Sequence, residues 1–250
     1  MARYQLTLAY DGTDFFGSQR QAKRRTVQGE LEKALRGLGW TGRSILVSGR
    51  TDTGVHAAGQ VAACDLDWAH TDEELVRALN AQLPADLSVR EAKIVRDDFH
   101  PRFAATSRTY RYRIFCDGLR DPIRERFAWR VNPKIQTVLL EQTAKVFIGR
   151  HDFSAFGSPT TSKGTTTRTV MKADWTRTGN DEWQFEVEAD AFLYRMVRRL
   201  VFVQVEVAQG KVSVEAVTEM LKQAKPAKRS GLAPAHGLTL VEVKYPESMK

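Results

Sequence analysis

Residues 48–61 of the 250-residue chain read SGRTDTGVHAAGQV, and this stretch holds the densest set of chemically active side chains in the sequence. Gly49 and Gly54 have the spacing of the glycines in a phosphate-binding loop. Such a loop continues with a lysine and a hydroxyl residue that bind phosphate and magnesium, but Val55 and His56 stand in their place. The stretch is therefore not expected to bind ATP as a phosphate-binding loop does, and its polar residues suggest a different function.

One carboxylate stands at the centre of this stretch. Asp52 lies two residues from Arg50, with the hydroxyl residues Thr51 and Thr53 on either side. A nearby guanidinium favours the ionised carboxylate, and an ionised carboxylate is a nucleophile. The alternative is a structural turn in which Asp52 binds neighbouring backbone amides. These residues alone leave both interpretations open.

Two further aspartates, Asp11 and Asp14, are compatible with other reactions at Asp52. A glycosidase normally uses two carboxylates in different roles, and no second carboxylate lies close to Asp52 in the sequence. Asp11 and Asp14, in a predicted turn after the first strand, are candidates for that partner in space. The same three carboxylates suit a metal ion in a ribonuclease. The five histidines lack metal-binding spacing, which disfavours a metal cofactor.

Two segments that combine aromatic and basic residues favour an RNA partner. Strand alternation places Arg108, Tyr110 and Tyr112 on one face. Such a face suits base stacking and phosphate contact, although a strand tyrosine is also a common core residue. Helical spacing predicts Arg195 and Arg199 on one side of a helix. Arginines beside aromatic residues suit phosphate binding, and the alternative is an ordinary solvated face.

The composition indicates the class of protein. With 42% hydrophobic and 27% charged residues, the chain is an ordinary globular protein. Its net charge of +8 favours a polyanionic partner. The sequence shows neither the apolar block of a signal peptide nor a membrane-spanning stretch, so we expect a soluble cytoplasmic protein. Cys64 and Cys116 lack the spacing of zinc or redox sites, which predicts buried thiols.

Hydrophobic spacing predicts strands and helices in a mixed order along the whole chain. Alternation favours strands at residues 4–10, 87–95, 107–115, 183–189 and 238–243. Helical spacing favours helices that begin at Thr26 and Thr71, and others at residues 138–149, 193–200 and 214–221. Residues 157–169, rich in serine, threonine and glycine, predict a mobile loop or a plain surface connection. Because neighbouring strands often lack the helix that a parallel crossover needs, we predict an α+β fold with antiparallel or mixed sheets.

The segment from Gly49 to Ala57 resembles the active-site signature of the tRNA pseudouridine synthase A family, which acts on the anticodon arm of tRNA. Further segments resemble that family in the same order along nearly the whole chain. They are residues 10–13, 16–17, 26–29, the strand with Tyr110, and residues 151–153, 192–198, 233–234 and 236–238. Three positions depart from the family pattern. Ser18 stands where a tryptophan is common, Ala235 where a second proline is frequent, and Thr239 where an aromatic residue is usual.

The resemblance implies roles for five residues. Asp52 is implied to be the catalytic aspartate, Tyr110 the aromatic residue against the target uracil, and Arg195 the basic partner of Asp52. Arg50 is implied to assist extrusion of the base, and Leu232 to contact the base.

The resemblance also implies the architecture and the partners. It implies the pseudouridine synthase fold, with two mixed α+β domains around a central, largely antiparallel sheet. The division is expected near His100 to Thr106, with an N-terminal domain of residues 1–104 that carries the Asp52 loop. Residues 105–250 are expected to form a C-terminal domain that completes the active-site cleft. A homodimer that binds tRNA, no cofactor, no required metal, and uridines at tRNA positions 38 to 40 as the substrate are implied as well.

The conversion of uridine to pseudouridine, which the resemblance implies, is compatible with one ionised carboxylate. It breaks the bond from ribose C1′ to uracil N1, turns the base, and joins C1′ to C5 without redox change or net hydrolysis. Asp52 attacks the sugar, attacks the base, or removes the 2′ proton to give a glycal, and the sequence does not choose among these routes. Tyr110 is a candidate by position for the base that removes the C5 proton. A metal-dependent ribonuclease and a non-catalytic RNA-binding module are the alternatives.

Overall fold

The computed structural model describes residues 1–132, 135–161, 164–223 and 231–247. Strands and helices follow one another in a mixed order in these residues. The strands are β1 (Ala2–Tyr10), β2 (Leu46–Val47), β3 (His56–Leu66), β4 (Leu87–Val95), β5 (Ser107–Cys116), β6 (Trp129–Val131), β7 (Gly149–Asp152), β8 (Thr167–Arg177), β9 (Glu182–Ala189) and β10 (Leu238–Lys244). The helices are α1 (Val27–Gly37), α2 (Asp72–Asn80), α3 (Thr137–Val146), α4 (Met196–Ala208) and α5 (Val214–Gln223).

The chain forms two compact units. Unit 1 comprises Met1–Arg108 together with Thr239–Lys250, and unit 2 comprises Thr109–Leu238. The last strand thus groups with the N-terminal part of the chain, through pairing between distant residues that no local pattern encodes. The sequence-based division into domains of residues 1–104 and 105–250 stays a prediction.

The sheet of unit 1 has the strand order β4-β1-β3-β10, with β2 also paired to β3. β1 runs antiparallel to β3 and β4, whereas β10 runs parallel to β3, with Thr239 opposite His56. The predicted alternation in β1 is confirmed, since Tyr4, Leu6 and Leu8 are all buried. Burial of this face holds the strand in register, because a slip by one residue would expose it.

Both helices of unit 1 begin where the sequence predicts. The Thr26 hydroxyl accepts a hydrogen bond from the Gly29 amide at the start of α1. At α2 the Thr71 hydroxyl accepts from the Glu74 amide, and the Glu74 carboxylate accepts from the Thr71 amide. This reciprocal capping box satisfies amides that have no partner within the helix.

Unit 2 has the strand order β5-β9-β8-β7, and the short β6 pairs in parallel with β5. β8 runs antiparallel to both of its neighbours, β7 and β9. Helix α3 packs on α4 and β8. The predicted strand at residues 183–189 is confirmed as β9. The α+β prediction is confirmed as well, because both units combine helices with largely antiparallel strands.

Several predicted boundaries were wrong. The helix predicted from Leu193 begins at Met196, and the helix predicted to end at Gly149 ends at Val146. Residues from Thr167 onward, predicted to lie in a loop, form β8. Two residues of that predicted loop, 162 and 163, lie outside the described part of the chain.

The two thiols differ in exposure. Cys64 in β3 is buried, as predicted, and burial raises the pKa of its thiol to about 12. Cys116 is partly exposed, so the prediction of a buried thiol was wrong there. Of the helices formed by the described residues, none has the length and apolar character to span a membrane.

Candidate active site

Asp52 begins a tight turn that leads into β3. The Val55 amide donates a 3.1 Å hydrogen bond to the backbone carbonyl of Asp52. Gly54 lies within this turn with a φ of +78°, in the left-handed region that a residue without Cβ adopts readily. The backbone of Asp52 closes the turn, while its side chain is half-buried. The turn and the carboxylate are thus two separate features of the same residue.

The residue before Asp52 is held by three buried hydrogen bonds. The hydroxyls of Thr51 and Tyr10 lie 2.8 Å apart. The Thr51 amide donates to the Ser18 hydroxyl at 2.9 Å, and the Ser18 amide donates to the Thr51 carbonyl at 3.1 Å. Burial also raises the pKa of Tyr10, so its phenol stays protonated at neutral pH. These contacts fix the backbone from which Asp52 projects.

Two glycines allow the N-terminal segment to approach this turn. A Cβ on Gly12 would stand 2.0 Å from the carbonyl oxygen of Val55, which is closer than atoms can lie. Gly17 has a φ of +83°, and a Cβ there would stand 2.9 Å from the Thr51 carbonyl oxygen. Residues 10–18 therefore pack against the signature stretch because two of their positions lack side chains.

His56 joins the same two segments. The Gly12 amide donates a 3.0 Å hydrogen bond to Nδ1 of the buried His56 ring. Asp11 Oδ1 lies 3.1 Å from that nitrogen and also accepts from the amide and hydroxyl of Thr13. In the described ranges, no group of three or more histidine, cysteine, aspartate and glutamate side chains is arranged to hold a metal ion. The predicted cluster of Asp11, Asp14 and Asp52 is therefore not formed there.

Arg50 lies on the solvent side of this stretch. Its side chain is exposed and makes no hydrogen bond or ion pair with any residue that the structure describes. Arg50 and Asp52 thus flank the buried Thr51. A guanidinium in this position is available to an anion from solution.

The two tyrosines of β5 have different surroundings. Tyr110 is half-buried and packs edge-to-face on Phe192, with ring centroids 5.0 Å apart. Tyr112 is fully buried, and its hydroxyl donates a 2.8 Å hydrogen bond to the Pro234 carbonyl. Burial raises the pKa of Tyr112 well above its usual value. The prediction of a shared binding face was wrong for Tyr112, which is a core residue.

Arg195 immediately precedes α4. It has a φ of +61°, and its guanidinium lies 4.7 Å from the ring centroid of Tyr194. The predicted helical alignment of Arg195 with Arg199 was wrong, since Arg195 lies outside the helix. Burial and the positive charges of Arg195 and Arg198 lower the pKa of Arg199. Three arginines therefore concentrate positive charge at this end of α4.

Leu232 lies in an irregular segment, and the next two residues accept hydrogen bonds from side chains of unit 2. The Arg198 Nε donates a 2.7 Å hydrogen bond to the Ala233 carbonyl, and Tyr112 binds the carbonyl of Pro234. Leu232 itself is half-buried.

The predicted site residues are divided between the two units. Asp52 and Arg50 belong to unit 1, whereas Tyr110, Arg195 and Leu232 belong to unit 2. No pattern in the sequence predicts that Tyr10 and Ser18 bind Thr51 or that Arg198 binds the segment of Leu232. The signal in the sequence was that residues 10–13 and 16–17 resemble the same family and precede the signature.

The chain matches the family model described as "tRNA pseudouridine synthase" over residues 7–104 and 143–246. Curated relatives named tRNA pseudouridine synthase A match almost from end to end. The protein of Chloroflexus aurantiacus (strain ATCC 29366 / DSM 635 / J-10-fl) is 40% identical over 100% of this chain and 91% of its own length. The protein of Geobacter sp. (strain M21) is 39% identical over 99% of this chain and 100% of its own length. The protein of Bacillus subtilis (strain 168) is 40% identical over 97% of this chain and 99% of its own length.

Among solved structures, a chain in a Cbf5-Nop10-Gar1 complex is similar over 81% of this chain and 44% of its own length. The two share 12% sequence identity with a TM-score of 0.40, a likeness too low to bear on the site.

Proposed function

The chain belongs to the tRNA pseudouridine synthase family, and we propose that it isomerises uridine to pseudouridine in the anticodon arm of tRNA, with Asp52 as the catalytic carboxylate. The observation that carries the assignment of Asp52 is the set of three buried hydrogen bonds on Thr51. They hold the backbone of the adjacent residue while the Asp52 side chain stays half-buried. A carboxylate held in this way loses little freedom when a nucleotide binds.

Asp52 starts the rearrangement of the glycosidic bond. Its carboxylate attacks the sugar, attacks the base or takes the 2′ proton, and in each route the bond from C1′ to N1 breaks. The base turns and C1′ joins C5, while any bond made to Asp52 breaks or the 2′ proton returns. The proton on C5 then leaves and N1 gains a proton, so the product is an isomer of the substrate. No step consumes an oxidant, a reductant or a nucleotide fuel.

Tyr110 and Leu232 hold the extruded uracil in this proposal. The role of Tyr110 is supported by its half-buried ring, which Phe192 contacts edge-on, and by its phenol, which can accept the C5 proton in its ionised form. The role of Leu232 is supported by the two hydrogen bonds that hold Ala233 and Pro234, the residues after it. An aromatic ring and an aliphatic side chain suit the two faces of a base.

The basic residues act on the RNA backbone and on the charge of the site. Arg50 assists extrusion of the target base, and its exposed guanidinium, which binds none of the described residues, supports this role. Arg195 is the basic partner of Asp52, an assignment supported by the family resemblance. The three arginines around the start of α4 favour phosphate, so tRNA binding weakens steeply as salt is raised.

The proposal includes a cytoplasmic homodimer. Its support is the resemblance to the family, together with the location of tRNA in the cytoplasm. Light scattering of the purified protein at micromolar concentration measures the mass directly, and a mass of one chain would contradict the dimer.

The proposed activity is tested with tRNA transcript that carries tritium on uracil C5. Purified protein is expected to release tritium in the presence of EDTA and to leave the RNA chain intact. Asp52→Asn is expected to abolish release, whereas Asp14→Asn, which changes an exposed carboxylate outside the signature, retains it. Release at the wild-type rate from Asp52→Asn would refute the catalytic role.

The same assay separates the two alternatives. A ribonuclease that uses Asp11, Asp14 and Asp52 would shorten the RNA and stop in EDTA. A binding module would retain tRNA on a filter without releasing tritium.

A further inference from the structure

The loop between β1 and α1 lies directly against the Asp52 turn. Gly17 approaches the Thr51 carbonyl so closely that a side chain would not fit, and Ser18 exchanges two hydrogen bonds with Thr51. Phe16 immediately precedes these two contact residues. The backbone of Phe16 therefore lies next to the turn that presents Asp52.

Phe16 exposes an aromatic ring to solvent. It is 42% exposed, whereas the neighbouring Phe15 is 1% exposed. The guanidinium carbon of Arg24 lies 4.4 Å from the centroid of the Phe16 ring. An exposed ring with an arginine beside it matches the two parts of a nucleotide, because the base stacks on a ring and the phosphate binds a guanidinium.

The backbone around this pair is already ordered. The Phe16 amide donates a 2.9 Å hydrogen bond to the Arg25 carbonyl, and the Gln21 side-chain amide donates to the Phe16 carbonyl at 2.6 Å. Gln21 and Arg24 form an isolated antiparallel bridge around a tight turn. Since both backbone groups of Phe16 are bound, little conformational freedom remains to be lost when a ligand arrives.

The arginines on either side of Arg24 in the sequence have structural partners. Arg25 donates two 2.7 Å hydrogen bonds to Asp86, and Arg20 donates one of 2.6 Å to Glu32. Within the described ranges, Arg24 makes no ion pair with an acidic residue. Its charge is therefore not needed to hold the fold and remains available to an anion.

We propose that Phe16 and Arg24 form a nucleotide subsite beside the Asp52 turn, where an unpaired base of the bound RNA stacks on Phe16 and its phosphate binds Arg24. The inference rests on the proposed function, because it takes the RNA that reaches Asp52 as the ligand. The subsite accepts any base, since every base has a stacking face. It would hold a nucleotide next to the extruded uridine.

Binding of tRNA transcript to an Asp52→Asn parent tests the subsite without turnover. Phe16→Ala is expected to raise Kd by about 5- to 150-fold, the equivalent of the roughly 1–3 kcal/mol per stacked base. Phe16→Trp is expected to restore Kd to within about twofold, because it keeps a stacking ring. The matched control is Phe127→Ala, since Phe127 is 40% exposed and Arg126 lies 5.8 Å from its ring centroid. Phe127→Ala is expected to leave Kd within about twofold of the value for the Asp52→Asn parent.

The dependence of Kd on salt tests Arg24 separately. Arg24→Ala is expected to lower the slope of log Kd against log salt by about 0.7, the value for one phosphate of a single strand. Phe16→Ala is expected to leave that slope unchanged, because stacking releases no counterion. This readout still applies if Phe16→Ala does not fold.

Three results would overturn the subsite: an unchanged Kd for Phe16→Ala, a loss that Phe16→Trp does not restore, or an equal loss for Phe127→Ala. An unchanged salt slope for Arg24→Ala would remove the phosphate contact. Tritium release by the wild-type protein is measured separately. A wild type that binds tRNA through Phe16 without releasing tritium refutes the proposed function and leaves the subsite intact.

Discussion

The amide of Thr51 donates a hydrogen bond to the Ser18 hydroxyl, and the Ser18 amide donates one back to the Thr51 carbonyl. Both residues are buried and lie 33 positions apart in the chain. Ser18 is one of the departures from the family pattern, at a position where tryptophan is common. A tryptophan side chain has no acceptor for the Thr51 amide, so this chain holds the residue before Asp52 with a side-chain contact that a tryptophan would not make.

Ser18→Ala is expected to slow the reaction more than it weakens tRNA binding. The substitution leaves the buried Thr51 amide without an acceptor, at a cost of about 1–3 kcal/mol in the free energy of unfolding. Because Thr51 precedes Asp52, we expect a lower kcat for tritium release with KM nearly unchanged. Ser18→Thr keeps the hydroxyl and serves as the control. An unaltered kcat for Ser18→Ala would show that this hydrogen bond does not position Asp52.

Tyr110→Phe and Tyr112→Phe are expected to have opposite effects. Tyr112→Phe removes the hydrogen bond to the Pro234 carbonyl and lowers the free energy of unfolding by about 1 kcal/mol, with little change in kcat. Tyr110→Phe removes the hydroxyl proposed to accept the C5 proton, so kcat falls while stability is retained. Urea denaturation and tritium release measure the two quantities. Full activity of Tyr110→Phe would assign the proton transfer to another group.

Arg195→Gln is expected to lower kcat without a loss of stability. Arg195 is exposed and packs on the Tyr194 ring, and substitutions at exposed positions change stability by about 0.5 kcal/mol or less. Arg198→Gln is the comparison, because it removes a 2.7 Å hydrogen bond to the Ala233 carbonyl and is expected to lower Tm. A large loss of kcat in Arg198→Gln with full activity in Arg195→Gln would transfer the role of basic partner to Arg198.

The elements that the sequence predicted correctly are those with one buried face. β1 alternates and α1 has helical spacing, because each packs one side on the core. β3 was not predicted, since nine of its eleven residues are buried and most are small, which leaves no alternation to detect.

The candidate site was predictable as a set of residues but not as a geometry. The signature around Asp52 is a local pattern and was visible in the sequence. The contacts of Thr51 with Tyr10 and Ser18 join distant segments, and no spacing rule relates them. Arg195 was placed in a helix because its neighbours have helical spacing, whereas its left-handed backbone excludes it from α4.

The ion pair between Arg25 and Asp86 is expected to contribute acid-dependent stability. Hydrogen bonding to Arg25 lowers the pKa of Asp86 in the folded chain below its unfolded value, which is about 3.9. The contribution is therefore fully present above the unfolded pKa and is lost as the pH falls through the lowered folded pKa. Both side chains are partly exposed, so we expect no more than about 1 kcal/mol at neutral pH.

Asp86→Asn tests this pair through the pH dependence of unfolding. Urea denaturation between pH 7 and pH 3 is expected to show a smaller loss of stability on acidification for Asp86→Asn than for the wild type. The control is Asp98→Asn, which removes an exposed carboxylate whose pKa is also lowered by an arginine, Arg96, but whose solvation leaves little net effect. Identical acid dependence in the wild type and Asp86→Asn would mean that Arg25 does not stabilise the fold through Asp86.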